Sequence, residues 1–138
     1  MQTVTPYLLY EDAAAAIDWL SRAFGFQERL RFEDDTGAVT HAELTLGDGE
    51  IFVGHPGSEY RSPKTLGAFT DLVHVYVDDV DAHHERAAAE GATIHLPPED
   101  TPYGDRRYDT EDLEGHRWSF AQVLREVEPE EWGATAKG

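Results

Sequence analysis

Two stretches of this chain repeat one pattern: an apolar run, an acidic stop and an alanine-rich segment. The first runs from Thr5 through Tyr10, then Glu11-Asp12, then Ala13 to Leu20; the second runs from Leu72 through Val77, then Asp78-Asp79, then Val80 to Ala87. From Asp12 to Asp79 the offset is 67 residues. Each copy closes on a glycine turn and a last strand, Gly49 to Val53 and Gly115 to Ser119, where the offset is 66. A repeat of this length predicts two similar supersecondary units in one small domain, with a functional site between them.

The local signals agree. Val4 to Tyr10 reads as a strand and Ala13 to Phe24 as a helix, with Asp12 as its cap, Ala16, Ile17, Leu20 and Phe24 on one face, and Gly25 as its left-handed stop. Arg29 to Glu33, Val39 to Leu46 and Glu50 to Gly54 read as three further strands. The second copy gives strand Asp71 to Val77, helix Val80 to Glu90, and strands Thr93 to Leu96, Arg106 to Thr110 and Arg117 to Val123, with Pro97 to Gly104 as a loop. Module one is thus placed at about 1–56, a connector rich in Gly, Ser and Pro at 57–70, module two at 71–125, and an acidic tail at 126–138 that Trp132 can dock.

The 138 residues suit one domain with a real core, and no apolar run approaches the roughly 18 to 20 residues of a membrane-spanning helix. Without a signal-peptide pattern, a cytoplasmic location is expected. The absence of cysteine rules out disulfides and thiolate chemistry. A formal charge of -17 repels phosphate, so neither nucleic acid nor a membrane surface is an expected partner.

The order strand, helix, three strands, repeated, resembles the vicinal oxygen chelate superfamily of glyoxalase I, extradiol dioxygenases and bleomycin-resistance proteins. Thr5-Pro-Tyr-Leu, Ala15-Ala-Ile-Asp-Trp-Leu, Ala23-Phe-Gly-Phe, Pro102-Tyr-Gly-Asp-Arg and the run Asp112 to Ala121 look most like its PhnB-like branch. The resemblance implies an α+β fold of two βαβββ modules, curved mixed sheets around a cleft, and a homodimer. It also implies four metal-ligand positions, one early in the first strand and one in the last strand of each module. Counting from the acidic stops and the glycine turns puts Thr5, Leu72, Val53 and Ser119 there, none a usual ligand. No metal or other cofactor is therefore expected, and the remaining route to a displaced metal is His74 with His41 and Glu43.

Strand alternation directs Tyr7, Leu9, His41, Glu43, Thr45, Val53, His74, Tyr76, Arg107, Asp109, Arg117 and Ser119 to the cleft. It directs Leu8, Leu44, Leu46, Phe52, Val73, Val75, Val77, Trp118 and Phe120 under the helices. A slip of one residue in any strand exchanges its two sets. With Tyr103 on the loop above, the ligand-binding set is Tyr7, His41, Glu43, His74, Tyr76, Tyr103, Arg107, Arg117 and Ser119. Glu43 has Arg107 as its expected partner, and His83, His84 and His95 read as surface residues.

Three functions remain open: a metal-independent small-molecule binding protein; a glyoxalase- or dioxygenase-like enzyme (lyase, isomerase or oxygenase) with catalytic candidates His41, Glu43 and His74; and an antibiotic-sequestering resistance protein.

Overall fold

The computed structural model describes residues 1–138. Module one holds β1 (Tyr7–Leu9), α1 (Ala13–Phe24), β2 (Gln27–Glu33), β3 (Val39–Leu46) and β4 (Gly49–Gly54). A short helix α2 (Pro63–Leu66) lies in the connector, and module two holds β5 (Val73–Tyr76), α3 (Val80–Ala89), β6 (Thr93–Asp100), β7 (Asp105–Glu111) and β8 (Arg117–Val123). The chain closes on a 3-10 turn at Pro129–Trp132. Two four-stranded mixed sheets result, ordered β1-β4-β3-β2 and β5-β8-β7-β6, each with a parallel pair at its first strand. This is the α+β fold of two βαβββ modules. No helix is long and apolar enough to cross a membrane.

The repeat works through its caps. Asp12 and Asp79 accept from the backbone N–H groups of Ala15 and Ala82 at 3.0 and 3.1 Å, so the same acidic stop starts both helices. Gly25, at φ 85°, ends α1 by donating its N–H to Leu20. Two elements differ from the sequence reading. The connector forms α2 because Ser62 caps it and Pro63 opens it. β6 continues through Pro97 and Pro98 to Asp100; it is an edge strand, and the register shift between Leu96 and Glu99 absorbs residues that cannot donate to a ladder.

One core of 20 buried residues serves both modules. Leu8, Ala42, Leu44, Ile51 and Val53 supply the face of the first sheet, and Tyr108, Trp118 and Phe120 that of the second. Phe24, the last residue of α1, crosses between them, with ring centroids 5.3 Å from Trp118 and 4.7 Å from Phe120. His83 seals the joint: its Nε2–H donates to the Phe24 carbonyl at 2.8 Å, which leaves Nδ1 to accept from Tyr108 at 2.6 Å. Burial pushes its pKa down. The expected surface histidine is therefore a core tie, because α3 turns that side toward the end of α1.

A polar hub lies beside this core. The buried Asp112 carboxylate accepts from Tyr10 at 2.6 Å, from Trp118 Nε1 at 3.0 Å, and from the backbone of Glu114 and His116 at 3.0 Å each. Glu114 in turn receives the N–H groups of Glu11 and Asp12. The turn 112–116 is thus the seat of the first acidic stop.

The connector is pinned through Glu11, whose carboxylate accepts from Ser62 N–H at 2.9 Å and Thr65 Oγ1 at 2.5 Å. Hydrogen bonds from Ser62 and Thr65 hold its pKa down to about 2 from 4.5. A lowered carboxyl stabilises the docked connector above its ordinary value and ceases to as pH falls through the folded value.

Phe24→Ala is expected to lower the unfolding free energy by about 3–5 kcal/mol, measured by urea denaturation; a loss within error would mean that the modules do not share their core. Acidification from pH 4.5 toward about 2 should release the connector, seen as a loss of amide protection at Ser62 and Thr65 relative to the intrinsic exchange rate at each pH. Glu11→Gln should give the same loss of protection at pH 7, and unchanged exchange in that variant would remove Glu11 as the pin.

Candidate functional site

Because the core takes one face of each sheet, the other faces point away from it and stay open. The ladders define them. Tyr7, Phe52, Glu43 and Leu30 form one cross-strand row of the first sheet, and Leu9, Gly54, His41 and Phe32 the next. In the second sheet His74, Ser119, Asp109 and Leu96 form one row, with Tyr76, Ala121 and Arg107 beside them.

This register corrects one pair of assignments. Phe52 lies on the open face and Val53 is fully buried in the core. The turn before β8 is longer than the one before β4, so counting from the glycines misaligned the two last strands. The true equivalent of Ser119 is Phe52, at the same offset of 67 that relates Tyr7 to His74.

On the first sheet, Tyr7, His41 and Glu43 form a chain. The Tyr7 hydroxyl lies 2.7 Å from His41 Nδ1, and His41 Nε2 lies 3.0 Å from Glu43. An ionised carboxylate only accepts, so Nε2 carries the proton and Nδ1 accepts from Tyr7. Glu43 is held on its other side by Arg29, which also reaches Glu50 at 3.2 Å. Arg29 takes the place expected for Arg107; it sits at the bulge between Glu28 and Leu30 in β2, which a plain alternation does not anticipate. Phe52 packs edge-on against Tyr7 and His41 at 5.5 and 5.2 Å. Gly54 makes the arrangement possible, since a Cβ there would lie 2.8 Å from Tyr7 Cε1. A groove of about 780 Å³ runs alongside, lined by Thr5, Arg29, Glu43, Thr45, Glu50 and Phe52 among others.

The second sheet has the parallel arrangement in other residues. Arg107 pairs with Asp109 at 3.0 Å and reaches the Tyr103 hydroxyl at 3.3 Å. Tyr103 packs at a tilt against Trp132, ring centroids 5.5 Å apart, so the tail docks on this loop. Gly104 permits the approach: its φ is 95°, and a Cβ would lie 2.3 Å from the Arg125 carbonyl. His74 Nδ1 meets Ser119 Oγ at 2.7 Å, with Tyr76 edge-on to the imidazole at 5.0 Å. Burial pushes the His74 pKa down, with Arg107 adding to it against Asp105 and Asp109. Ser119 itself is fully buried, whereas Tyr76 is exposed. Arg117 stands apart under the connector, its guanidinium 4.0 Å from the Phe69 ring centroid and 3.9 Å from Glu111. His95, read as a surface residue, bonds to Glu111 at 2.7 Å.

The structure thus joins Tyr7, His41 and Glu43 in one group, His74 with Ser119 and Tyr76 in a second, and Arg107 with Tyr103 in a third. No hydrogen bond, ion pair or ring contact links the first group to the other two. The donor set does not suit a divalent ion: no three His, Cys, Asp or Glu side chains converge, Glu43 is already paired with Arg29, and His74 lies near the Arg107 cation. Sequence reasoning missed Arg29, Glu50, Phe52 and Gly54. Of these only Gly54, a glycine closing a β-run, carried a local signal.

Residues 3–120 match the Glyoxalase/Bleomycin resistance protein/Dioxygenase superfamily, and the chain belongs to it. An uncharacterised protein of Mycobacterium bovis is 35% identical over 133 residues, covering 93% of this chain and 88% of that protein. The crystal structure of TioX from Micromonospora sp. ML1 is 40% identical with a TM-score of 0.74, covering 90% of this chain and 100% of that one. A family enzyme from Burkholderia phytofirmans PsJN shares the fold at 22% identity and a TM-score of 0.66, covering 86% of this chain and 95% of its own.

Gly54→Ala is expected to keep the fold and displace the Tyr7 ring. The check is the His41 side-chain ¹⁵N resonances, which should move in this variant and in Tyr7→Phe alike; wild-type resonances in Gly54→Ala would show that Gly54 does not seat Tyr7.

Proposed function

We propose that the protein binds a small organic molecule without a metal ion, in the manner of bleomycin-resistance and PhnB-like proteins, and does so as a homodimer. The observation that carries this reading is the pair of open sheet faces, where oriented polar groups stand among exposed aromatics. Tyr7, Phe32 and Tyr76 are 50%, 61% and 61% exposed, an unusual outlay of ring surface for a chain on its own. The open face of each module lines half a cleft, and a second copy supplies the other half. Pockets of this kind combine apolar walls with a few convergent polar groups.

The ligand is neutral or cationic. Glu43, Asp48 and Glu50 line the groove with Arg29 as its one cationic side chain, and the chain carries a charge of -17. The resemblance to TioX, at 40% identity, supports the family assignment and leaves the ligand to experiment.

Sedimentation velocity should show a dimer, and Phe32→Glu should shift it to monomer. Calorimetry with bleomycin and a panel of planar aromatic amines in EDTA should give heat with at least one compound. Binding that disappears in chelator and returns with a divalent ion would overturn the metal-independent reading, and a monomer at all concentrations would overturn the shared cleft.

A further inference from the structure

We propose that the chain holds a second small-molecule site, for an aryl carboxylate, between the connector and the start of β8, with Arg117 and Lys64 as its cations. It is independent of the neutral or cationic ligand proposed for module one. None of Tyr7, His41, Glu43, His74, Ser119 and Arg107 lines it.

Arg117 carries the inference. Its Nε is the one buried side-chain nitrogen or oxygen without a hydrogen-bond partner. The side chain is 26% exposed, and its carboxylate neighbour, Glu111, stands off at 3.9 Å, beyond hydrogen-bond reach. That same Glu111 oxygen is bonded to His95 Nε2 at 2.7 Å. Elsewhere Arg22, Arg29, Arg31, Arg106 and Arg107 each hydrogen-bond a carboxylate. The chain has 28 acidic residues to 11 basic ones, so a largely buried guanidinium that bonds none of them is exceptional. A charge so placed costs stability unless an acid from outside answers it.

The connector builds a pocket around this cation. Gly67, at φ 71°, ends α2 in a left-handed turn, after which the Phe69 ring lies 4.0 Å from the Arg117 guanidinium. Gly115 lets α2 lie on the β7–β8 turn: a Cβ there would come within 2.7 Å of Lys64 N, which donates to the Glu114 carbonyl at 2.9 Å. The result is a cavity of about 450 Å³ with Pro63, Ala68 and Phe69 as its apolar wall and Lys64 beside Arg117.

These residues define the ligand. Two cationic side chains against one carboxylate make the lining positive on a chain of charge -17. A guanidinium matches a carboxylate in two parallel hydrogen bonds. Glu111 and the acidic surface oppose a second negative charge, which favours a monoanion over phosphate. Phe69, 51% exposed, offers its ring to a flat apolar body.

Calorimetry at low ionic strength with sodium benzoate tests the site, with benzamide and inorganic phosphate for comparison. Benzoate should bind, and the other two should bind about 10-fold more weakly or worse. Arg117→Gln should weaken benzoate by on the order of 10-fold, and Arg117→Lys, which keeps the charge and loses the fork, should not restore it. Lys64→Gln, a change on the exposed connector, should weaken it about 3-fold. Arg125→Gln removes an equal charge from the exposed start of the tail and should bind as the wild type does. Circular dichroism confirms that each variant folds. In ¹⁵N NMR spectra benzoate should move the amides of 63–69 and 111–117 and leave those of β1 and β3 in place. No saturable heat with benzoate, equal affinity for benzamide, tighter binding of phosphate, or wild-type affinity in either Arg117 variant would each overturn the site. So would equal losses in Arg117→Gln and Arg125→Gln, or shifts confined to the open sheet faces. None of these outcomes bears on the ligand of module one.

Discussion

The insertion of Phe24 between the two sheets is the contact on which the rest of the molecule depends. It is fully buried and contacts Trp19 from its own helix and Trp118, Phe120 and His83 from the other module. Through it, two units that would each be too small for a stable core fold as one. The consequence reaches beyond stability. A sheet has two faces, and committing one face of each to a common interior dictates which residues are left for ligands. The open face is in this sense the remainder of the packing solution.

The polar hub at Asp112 orients that solution. Its four donors come from Tyr10, Trp118 and the backbone of Glu114 and His116, so it ties the end of the first strand to the last hairpin. Burial pushes its carboxyl up, against the pull of Tyr10, His116 and Trp118. A buried carboxylate is costly unless so fully bonded, and here the bonds fix the angle at which the two halves of the repeat meet. The same turn receives the amides of Glu11 and Asp12 through Glu114, so the acidic stop that marks the repeat in sequence is a helix cap and a module joint at once.

Much of this was legible before the structure. The repeat gave the two modules, and its acidic stops gave the N-termini of α1 and α3, because capping is local chemistry. Tyr7, His41 and Glu43 were placed on one face by alternation alone. What failed was register across turns of unequal length: Val53 and Phe52 exchanged faces because the β7–β8 turn is longer than the β3–β4 turn. What was missed depends on distant partners. Arg29 reaches Glu43 only because β2 bulges, His83 is drawn inward by the end of α1, and the open faces follow from how the modules share a core, which no spacing within one strand encodes. The superfamily's metal positions, counted from the acidic stops and glycine turns as Thr5, Val53, Leu72 and Ser119, moved with that register, since Phe52 and not Val53 is the counterpart of Ser119.

Two modules with one scaffold have thus diverged in what their third and first strands present. Module two keeps an arginine–aspartate pair and a histidine bonded to Ser119, whereas module one sets an imidazole between a phenol and a carboxylate beside an open groove. The account stands on that groove being a metal-free site for a small molecule. Native mass spectrometry of the protein isolated in chelator tests it most directly. The account predicts a dimer retaining a non-covalent organic adduct, or taking one up from an added compound, at a mass that includes no metal; a stoichiometric divalent ion, required for any adduct to bind, would contradict it.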